Sequence, residues 1–445
     1  MIHFFAPLFH SYARLREKSG FSHSFGPFSR YAFGSTFSKG GIKKLNCYFE
    51  LNITIHKRTM NPSVQFTSDA DDTLKFTLSG VNVSIANAIR RTLMTDIPSV
   101  VFRTAPYEES LATIITNTTR LNNEILKQRL SCIPIHITDL KDFDLSKYFM
   151  ELNVENLSDT MMIVTTKDFV VKSVDTGKPI SEADNKKIFP PDSYTGDYID
   201  FVRLRPRISD EIPGEKIHLT CELSIGTGKQ DGMFSSVATC AYGFTVDDKE
   251  MDVKLNKKRK DWKDAGKTEK EIEQFESKNW MLLEGARIVK KDSYDFVVES
   301  IGVYTNTELL QMACDILIDR LRGLDQIIEQ DQLKINISQN TMSNCFDIIL
   351  ENEDYTIGKV IEYVLYAKFF DKAQQQQGGK ENEQKVLSYC GFRKMHPHDP
   401  DSIIRVAYLE PSDRTTIKGH LKECIADAIK VYETCKKKFS TFDKS

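Results

Sequence analysis

Three aspartates near residue 70 have the type and spacing that could hold a hard metal cation. Asp69, Asp71 and Asp72 lie within one short polar segment of the sequence. Carboxylate oxygens at such short spacing can bind Mg²⁺ or Ca²⁺. Tight turns also favour Asp and Ser, and alternating apolar residues on both sides predict a strand hairpin here. The hairpin is the better interpretation, so we expect no metal at these residues.

A second candidate metal site contains two histidines. His396 and His398 are separated by Pro397, and histidine is the commonest transition-metal ligand. Pro397 and Pro400, however, favour a rigid connection between two predicted strands. No Ser/His/Asp or Cys/His arrangement, Walker sequence or dinucleotide-binding fingerprint is present either. We therefore predict no catalytic residue, no cofactor and no metal.

The chemistry that the sequence does favour is recognition of carboxylates. Arg90 and Arg91 are adjacent on a predicted helix. Two adjacent arginines are often only a solvated helix face, but the planar guanidinium pairs bidentately with carboxylates and is enriched at protein interfaces. We predict that both side chains lie on a face not needed for packing and contact a partner protein.

The helix that carries these arginines is predicted over residues 83–97. One apolar stripe comprises Ile85, Ala88, Ile89 and Leu93, and Pro98 ends the helix. A second, shorter helix is expected at 122–130. A third apolar helix face follows a polar turn at 353–358, and its residues are Ile357, Val360, Ile361, Val364 and Leu365.

Two longer helices carry a regular apolar seam. Residues 305–308 form a capping-box sequence, Thr-Asn-Thr-Glu. The seam behind it is spaced alternately by four and three residues: Leu310, Cys314, Leu317, Leu321, Leu324 and Ile328. The last helix repeats that spacing: Ile417, Leu421, Cys424, Ala428, Val431 and Cys435. A predicted strand precedes each helix, so we expect two strand–helix units whose seams pair with each other.

The region between these helices and the first one is different in character. Short predicted strands separated by Gly, Pro, Asp and Ser clusters indicate a β-rich inserted domain over 134–234. The strands are expected at 150–154, 161–165, 169–174, 198–204 and 217–225. Residues 251–285 are highly charged and predict a solvated helical excursion, and the Gln- and Gly-rich stretch 374–379 predicts a flexible loop.

Composition is that of an ordinary soluble protein. The 445 residues are 40% hydrophobic and 28% charged, with a net charge of −3, and no apolar run reaches the roughly 18 residues that a membrane helix needs. Nine cysteines without CxxC spacing predict reduced, buried thiols and a reducing compartment. Basic residues concentrate in 1–59, which resembles a transit peptide in composition, although an unstructured extension, or an upstream start with the true beginning at Met60, fits better. The more acidic remainder favours a protein partner over broad contact with nucleic acid.

Several segments resemble the α-like subunits of multisubunit DNA-directed RNA polymerases. Residues 82–98 (NVSIANAIRRTLMTDIP) and 120–134 (RLNNEILKQRLSCIP) resemble the larger α-like subunit, and 217–244 resemble its return to the dimerisation domain. Residues 345–366 and 387–408 resemble the smaller α-like partner. The resemblance covers most of 60–330 and nearly all of 331–445.

The sequence departs from that family in three respects. The two halves are fused, an arrangement similar to that in large DNA viruses of eukaryotes. The Cys-rich zinc loop of many larger α-like subunits is missing. Residues 1–59 have no family counterpart.

The resemblance implies a structural subunit without catalytic activity. In this family two α-like units pair through their helices, and the two large catalytic subunits assemble on the resulting platform. It implies further contacts with small polymerase subunits, contact with DNA only through the complex, and no membrane. Arg90 and Arg91 are then expected to contact a large subunit. The site of action would be the site of transcription, which for a viral protein is the virion and the host cytoplasm or nucleus.

These observations predict an α+β fold with two α-like dimerisation domains in one chain. The first domain is expected at 60–133 and 235–330, the second at 331–445, and the connection between them at 323–334. Fusion makes the pairing intramolecular, so no homodimer is expected. Two other functions remain open at this point: a nucleic-acid-binding module that uses 1–59, and a stand-alone nucleotidyltransferase that uses the Asp69 cluster.

Overall fold

The fold is defined by a computed structural model that describes residues 60–70, 72–139, 143–209, 211–370 and 386–442. The expected extension at 1–59, Asp71 and the Gln- and Gly-rich stretch 374–379 lie outside these residues. The described part of the chain is a mixed α/β protein with several antiparallel sheets.

Strands and helices alternate along the chain in irregular order. The strands are β1 (Ser63–Ala70), β2 (Thr73–Ser79), β3 (Pro98–Phe102), β4 (Ala112–Asn117), β5 (Tyr148–Glu155), β6 (Met162–Thr165), β7 (Val170–Ser173), β8 (Asp200–Leu204), β9 (Lys216–Thr227), β10 (Val237–Val246), β11 (Val289–Ser300), β12 (Ile335–Ile337), β13 (Cys345–Leu350), β14 (Leu387–Arg393) and β15 (Ser402–Tyr408). The helices are α1 (Val83–Thr95), α2 (Asn123–Ser131), α3 (Glu182–Ile188), α4 (Asp248–Asp264), α5 (Glu269–Glu271), α6 (Ser277–Leu283), α7 (Asn306–Glu329), α8 (Tyr355–Leu365) and α9 (Arg414–Phe439). Two π-helical segments, Ile272–Glu276 and Tyr366–Phe370, continue α5 and α8.

Two four-stranded sheets have the same topology. Their strand orders are β1-β2-β11-β10 and β12-β13-β15-β14. In each sheet the first two strands form an antiparallel pair, a helix follows the second strand (α1 or α8), and a long helix follows the last strand in sequence (α7 or α9). We refer to β1, β2, α1, β10, β11 and α7 as the first unit, and to β12–β15, α8 and α9 as the second unit.

Equivalent helices of the two units begin in the same way. Asn82 caps α1 and Asp354 caps α8, and each side chain accepts a hydrogen bond of 2.9 Å from the backbone N–H two residues later. The long helices α7 and α9 begin at Thr305 and Asp413, which accept from the N–H three residues later. Such caps satisfy backbone donors that have no partner inside the helix, so the local sequence fixes where each helix starts.

The two units share one hydrophobic core. Helix α7 lies antiparallel to α9, with Asp315 bonded to Lys436 at 2.6 Å and Glu329 bonded to Lys422 at 2.8 Å. Helix α1 packs on α8. All the residues predicted for the seams and stripes are buried in this core: Ile85, Ala88, Ile89, Leu93, Leu310, Cys314, Leu317, Leu321, Leu324, Ile328, Ile357, Val360, Ile361, Val364, Leu365, Ile417, Leu421, Cys424, Ala428, Val431 and Cys435.

A second core lies in the inserted domain. A sheet of order β3-β9-β5-β7, with β4 also on β9, packs beside the β6–β8 pair. Phe102, Leu126 and Leu219 are among its buried residues. The boundary expected at residue 134 is therefore wrong, because β3, β4 and α2 pair with or pack on this domain and the insertion begins near Pro98.

The helical character of the segment after β10 agrees with the sequence prediction, but the limits of the connection between the two units do not. The charged segment after β10 is helical, as expected, and buries only Leu255, Ile272, Trp280 and a few small residues. The connection expected at 323–334 is wrong in its start, because α7 continues to Glu329 and Gly323 is a helical residue. Only residues 330–334 join the two units.

The cysteines of the described residues are free thiols. Seven are buried or half-buried, and burial raises the pKa of Cys221 and Cys240 to about 12. Cys132 is exposed and departs from the expected burial. Among the described residues, no helix combines the length and apolar character needed to cross a membrane.

Candidate functional site

The contact surface between the two units is the candidate functional site, and aromatic rings dominate one end of it. Phe439, near the end of α9, meets Phe76 of the first sheet edge-on at a centroid distance of 5.5 Å. Phe76 stacks in turn on Phe296 of β11 at 5.0 Å. All three rings are buried. The second unit therefore completes the core of the first.

A charged cluster lies on the same contact surface. Arg320 of α7 donates from Nη1 to Asp96 Oδ2 at 2.7 Å and binds both carboxylate oxygens of Glu353 through Nε and Nη2. Arg91 of α1 donates from Nη2 to Asp354 Oδ2 at 2.7 Å. We call Arg91, Asp96, Arg320, Glu353 and Asp354 the interface cluster.

The interface cluster also holds the start of α8 in place. Arg91 Nε donates to Thr356 Oγ1 at 2.9 Å, and the backbone N–H of Thr356 donates to the capping carboxylate of Asp354. A charged hydrogen bond from the first unit thus supports the N-cap of a helix in the second. Charge-assisted bonds of this kind are shorter and stronger than neutral ones.

Burial and pairing act in opposite directions on the two carboxylates. Burial raises the pKa of Glu353, and the hydrogen bond and positive charge of Arg320 only partly oppose it. Burial also acts to raise the pKa of Asp354, but the hydrogen bonds from Thr356 and the charge of Arg91 outweigh it and lower that pKa. Arg320 remains charged because its acidic partners raise its pKa despite its burial. Arg91 therefore pairs with Asp354 and Arg320 with Glu353 across the unit boundary, while Asp96 pairs with Arg320 inside the first unit.

The two predicted arginines have different surroundings. The expectation that both lie on a face not needed for packing is wrong for Arg91, because its guanidinium contacts Asp354 and Thr356 across the unit boundary. Arg90 bonds only to its own helix, through Asn87 Oδ1 at 3.0 Å and Met94 Sδ at 3.1 Å. Within the described residues no carboxylate forms a salt bridge with Arg90, so its charge is available.

Asp69 and Asp72, the two aspartates of the cluster near residue 70 that the structure describes, have a structural role. Asp72 lies in the β1–β2 turn with φ 56°, a conformation that Asp tolerates. Asn306, at the start of α7, donates from Nδ2 to Asp72 O at 2.9 Å and to Asp69 Oδ1 at 3.4 Å. The turn thus anchors the first residue of the long helix. Asp71 is outside the described residues.

His396 and His398 lie where a connection between strands was expected, between β14 and β15. The backbone N–H of His398 donates to His396 Nδ1 at 3.2 Å, and both side chains are exposed. Among the described residues, no group of three or more His, Cys, Asp or Glu side chains could hold a metal ion.

The sequence analysis did not identify Asp96, Arg320, Glu353 or Asp354 as interface residues. Arg320 carried a usable signal: it immediately precedes seam residue Leu321, at a position where coiled-coil helices place the charges that choose a partner. Glu353 and Asp354 gave no such signal, because acidic residues before a helix also suit an ordinary polar turn.

Comparison with known proteins agrees with this architecture. The family model described as the RNA polymerase Rpb3/Rpb11 dimerisation domain matches residues 75–321, more than half of the chain. The match includes both inter-unit arginines, Arg91 and Arg320, together with α1 and the first two thirds of α7. The chain belongs to the Rpb3/Rpb11 dimerisation-domain family of RNA polymerase.

Individual relatives are distant in sequence, and the share of each chain that is covered varies. The chain is 25% identical over 313 residues to DNA-directed RNA polymerases I and III subunit rpac1 of Dictyostelium discoideum, covering 63% of this chain and 86% of that one. It is 25% identical over 289 residues to DNA-directed RNA polymerase subunit Rpo3 of Pyrococcus furiosus, covering 60% and 97%. Mouse subunit RPAC1 is 29% identical over 186 residues, covering 39% and 51%.

Proposed function

We propose that this chain is a non-catalytic assembly subunit of a DNA-directed RNA polymerase. Its two units form a pseudo-heterodimer within one polypeptide, and that pseudo-heterodimer is the platform on which the two large catalytic subunits assemble. Small polymerase subunits complete the contacts, and DNA is reached only through the complex.

The observation that carries this proposal is the repeated topology. The orders β1-β2-β11-β10 and β12-β13-β15-β14 place a short helix and a long helix at equivalent positions, and the long helices lie against each other. The family match covers the first unit from residue 75 to residue 321. The second unit repeats its plan, which supports the fusion of a larger and a smaller α-like subunit, as in large DNA viruses of eukaryotes.

The relatives favour this function over a nucleic-acid-binding module. All three compared relatives are named as subunits of DNA-directed RNA polymerases. The stand-alone nucleotidyltransferase is disfavoured by the contacts of Asp69 and Asp72, which hold the start of α7.

Arg90 is the contact residue for a large subunit in this proposal. It lies on α1, beside the apolar stripe, and its guanidinium is bonded to neutral atoms of its own helix. A carboxylate on a partner protein would give Arg90 a charge-assisted hydrogen bond in place of its weaker bonds to neutral atoms. Arg91 is already engaged by Asp354, so we now assign it to the unit boundary.

The experiment is a tagged pull-down of the full chain from its native source, with the captured chains identified by mass spectrometry. The expected result is two very large polymerase subunits, one of them with an aspartate-rich metal loop. Recovery of the chain alone would overturn the proposal.

An Arg90→Glu variant tests the assigned contact in the same assay. It should reduce recovery of the large subunits, because charge reversal opposes a carboxylate. Arg203→Glu is the matched control, since Arg203 is an exposed arginine of the inserted domain with only a 3.9 Å approach to Asp200. Equal recovery with both variants would remove Arg90 from the interface and leave the platform itself untouched.

A further inference from the structure

The two units are equivalent in topology but not in charge. Aligning the N-caps Asn82 and Asp354 places Ile85 with Ile357 and Leu93 with Leu365, so the apolar stripes of α1 and α8 coincide. Aligning the caps of α7 and α9, Thr305 and Asp413, does the same for the long helices. The contact between the units is therefore pseudo-two-fold, with two equivalent ends.

Only one of these two ends carries the interface cluster. At that end Arg91 and Arg320 of the first unit meet Asp354 and Glu353 of the second. By the same alignment, the equivalents of the two arginines are Tyr363 and Ala428, and those of the two acids are Asn82 and Val81. The other end of the contact thus has no ion pair at the positions equivalent to Arg91–Asp354 and Arg320–Glu353; Lys368, at the position of Asp96, bonds Asp427 and Glu423 of its own unit.

This asymmetry distinguishes the possible pairings of units. Two first units together would place Arg320 beside Val81 and Arg91 beside Asn82, at both ends. Two second units together would place Glu353 beside Ala428 and Asp354 beside Tyr363. Arg320 would keep Asp96 of its own unit, but Arg91 would lose its carboxylate in the first arrangement, and Glu353 and Asp354 would lose their arginines in the second. Loss of a partner is unfavourable for half-buried charges, whereas pairing of unlike units gives all four charges a partner.

We infer that Arg91, Arg320, Glu353 and Asp354 determine pairing specificity: they make a first unit pair with a second unit and exclude pairing of like units between copies of the chain. The short connection 330–334 then favours the second unit of the same copy, because it keeps that unit at high effective concentration. This inference deepens the proposed function and rests on its pseudo-heterodimer.

A second ion pair across the same boundary provides a matched control. Arg322 of α7 approaches Glu433 of α9 at 3.6 Å, but the side chains are 57% and 44% exposed. Arg320 and Glu353 are 21% and 18% exposed. Exposed pairs contribute little because water screens them, so reversing Arg322 should leave pairing unchanged.

The test uses the purified full chain, which is unfolded in denaturant and then refolded over a range of protein concentrations. Light scattering measures the mass of the refolded protein. Wild type and Arg322→Glu should refold as monomers. Arg320→Glu should shift most of the refolded protein to dimers, because the introduced carboxylate would oppose that of Glu353 in the native pairing. The reversed pair Arg320→Glu/Glu353→Arg should restore the monomer.

Two additions keep the test decisive. If Arg320→Glu fails to refold, the neutral pair Arg320→Met/Glu353→Gln replaces it and should give a mixture of monomer and dimer. Refolding a mixture of ¹⁵N-labelled and unlabelled chains, followed by cross-linking, should give α7–α7 links between the two isotopes in the dimer.

Three outcomes would overturn the inference: a monomeric Arg320→Glu protein, a reversed pair that dimerises as much as the single variant, or a neutral pair that stays wholly monomeric. None of these mass measurements requires the other polymerase subunits. If the chain fails to capture the large subunits but its refolded variants have the expected masses, the proposed function is refuted and the inference about pairing specificity stands.

Discussion

The chain contains two hydrophobic cores that are assembled in different ways. The core shared by the two units takes residues from Leu74 to Phe439, so it draws on nearly the whole described chain. The core of the inserted domain uses residues between Val100 and Leu223. The first core exists only when both units are in contact, whereas the second can form within one continuous segment.

This difference separates pairing from local folding. A defect in the shared core should weaken the contact between units, because this core contains buried residues of both units and α9 of the second unit packs on β1 of the first. A defect in the inserted domain should stay local, since its buried residues belong to its own strands. Proteins with such divided cores unfold in parts, each with its own stability.

The largest expected effect comes from truncating one leucine in each core. Leu321→Ala and Leu219→Ala remove side chains that are 0% and 1% exposed, and each should lower the free energy of unfolding by about 2–5 kcal/mol. Hydrogen exchange should accelerate in both units for Leu321→Ala and only in the inserted domain for Leu219→Ala. Simultaneous loss of protection everywhere in both variants would show that the cores unfold as one.

A smaller effect is expected from a glycine that breaks the equivalence of the units. Gly358 of α8 occupies the position of Ala86 in α1, and a methyl group there would overlap the ring of Phe392. Gly358→Ala should therefore destabilise the chain by about 1–3 kcal/mol, although alanine favours helices. Thermal unfolding measures this, and a higher melting temperature than wild type would contradict it.

Acid should weaken the second unit through one sheet-bound ion pair. Arg405 bonds both oxygens of Asp347, at 2.6 and 2.7 Å, and this hydrogen bonding lowers the pKa of Asp347 below its ordinary 3.8. The folded-state pKa is depressed, so the stabilisation of about 1–2 kcal/mol is present above pH 4 and is lost as the pH falls through the folded pKa. Denaturant titrations between pH 2 and pH 6 should show that Asp347→Asn flattens this acid slope.

The smallest effect is expected at Gly323, inside α7. No atom lies within 4 Å of the position that a β-carbon would occupy there. Gly323→Ala should stabilise the chain by about 0.5–1 kcal/mol, because it lowers the conformational entropy of the unfolded state. The change also serves as the control for Gly358→Ala, and destabilisation by both would point to a general intolerance of the helices to alanine.

The sequence predicted the apolar part of the contact between units better than its polar part. Alternating four- and three-residue spacing locates Leu310 to Leu324 and Leu421 to Val431 on the buried faces of paired helices, because helix geometry converts spacing directly into a face. The charges of Glu353 and Asp354 could not be assigned this way. Their role depends on Arg91 and Arg320, which are distant in sequence and meet them only in the folded chain.

Domain limits were harder to predict than the elements themselves. The five strands predicted between 150 and 225 lie within a few residues of β5 to β9, yet the start of the inserted domain was placed at 134 instead of near Pro98. The sequence analysis did not predict β3, and which sheet it joins is decided by its pairing with β9, more than a hundred residues later. Pairing between distant strands leaves no local trace in the sequence.

The pairing of β2 with β11 also sets the order in which the chain can fold during its synthesis. Phe76 lies opposite Phe296, so the ribosome must deliver the whole inserted domain and the helical excursion before the first sheet can close. The β1–β2 hairpin, which is marginal alone, leaves the ribosome with its apolar face uncovered, while the strands of the inserted domain can pair as they emerge. Long-range strand pairing of this kind is slow and exposes hydrophobic surface to aggregation. We therefore expect the inserted domain to mature first and the contact between units last, once α9 has been released.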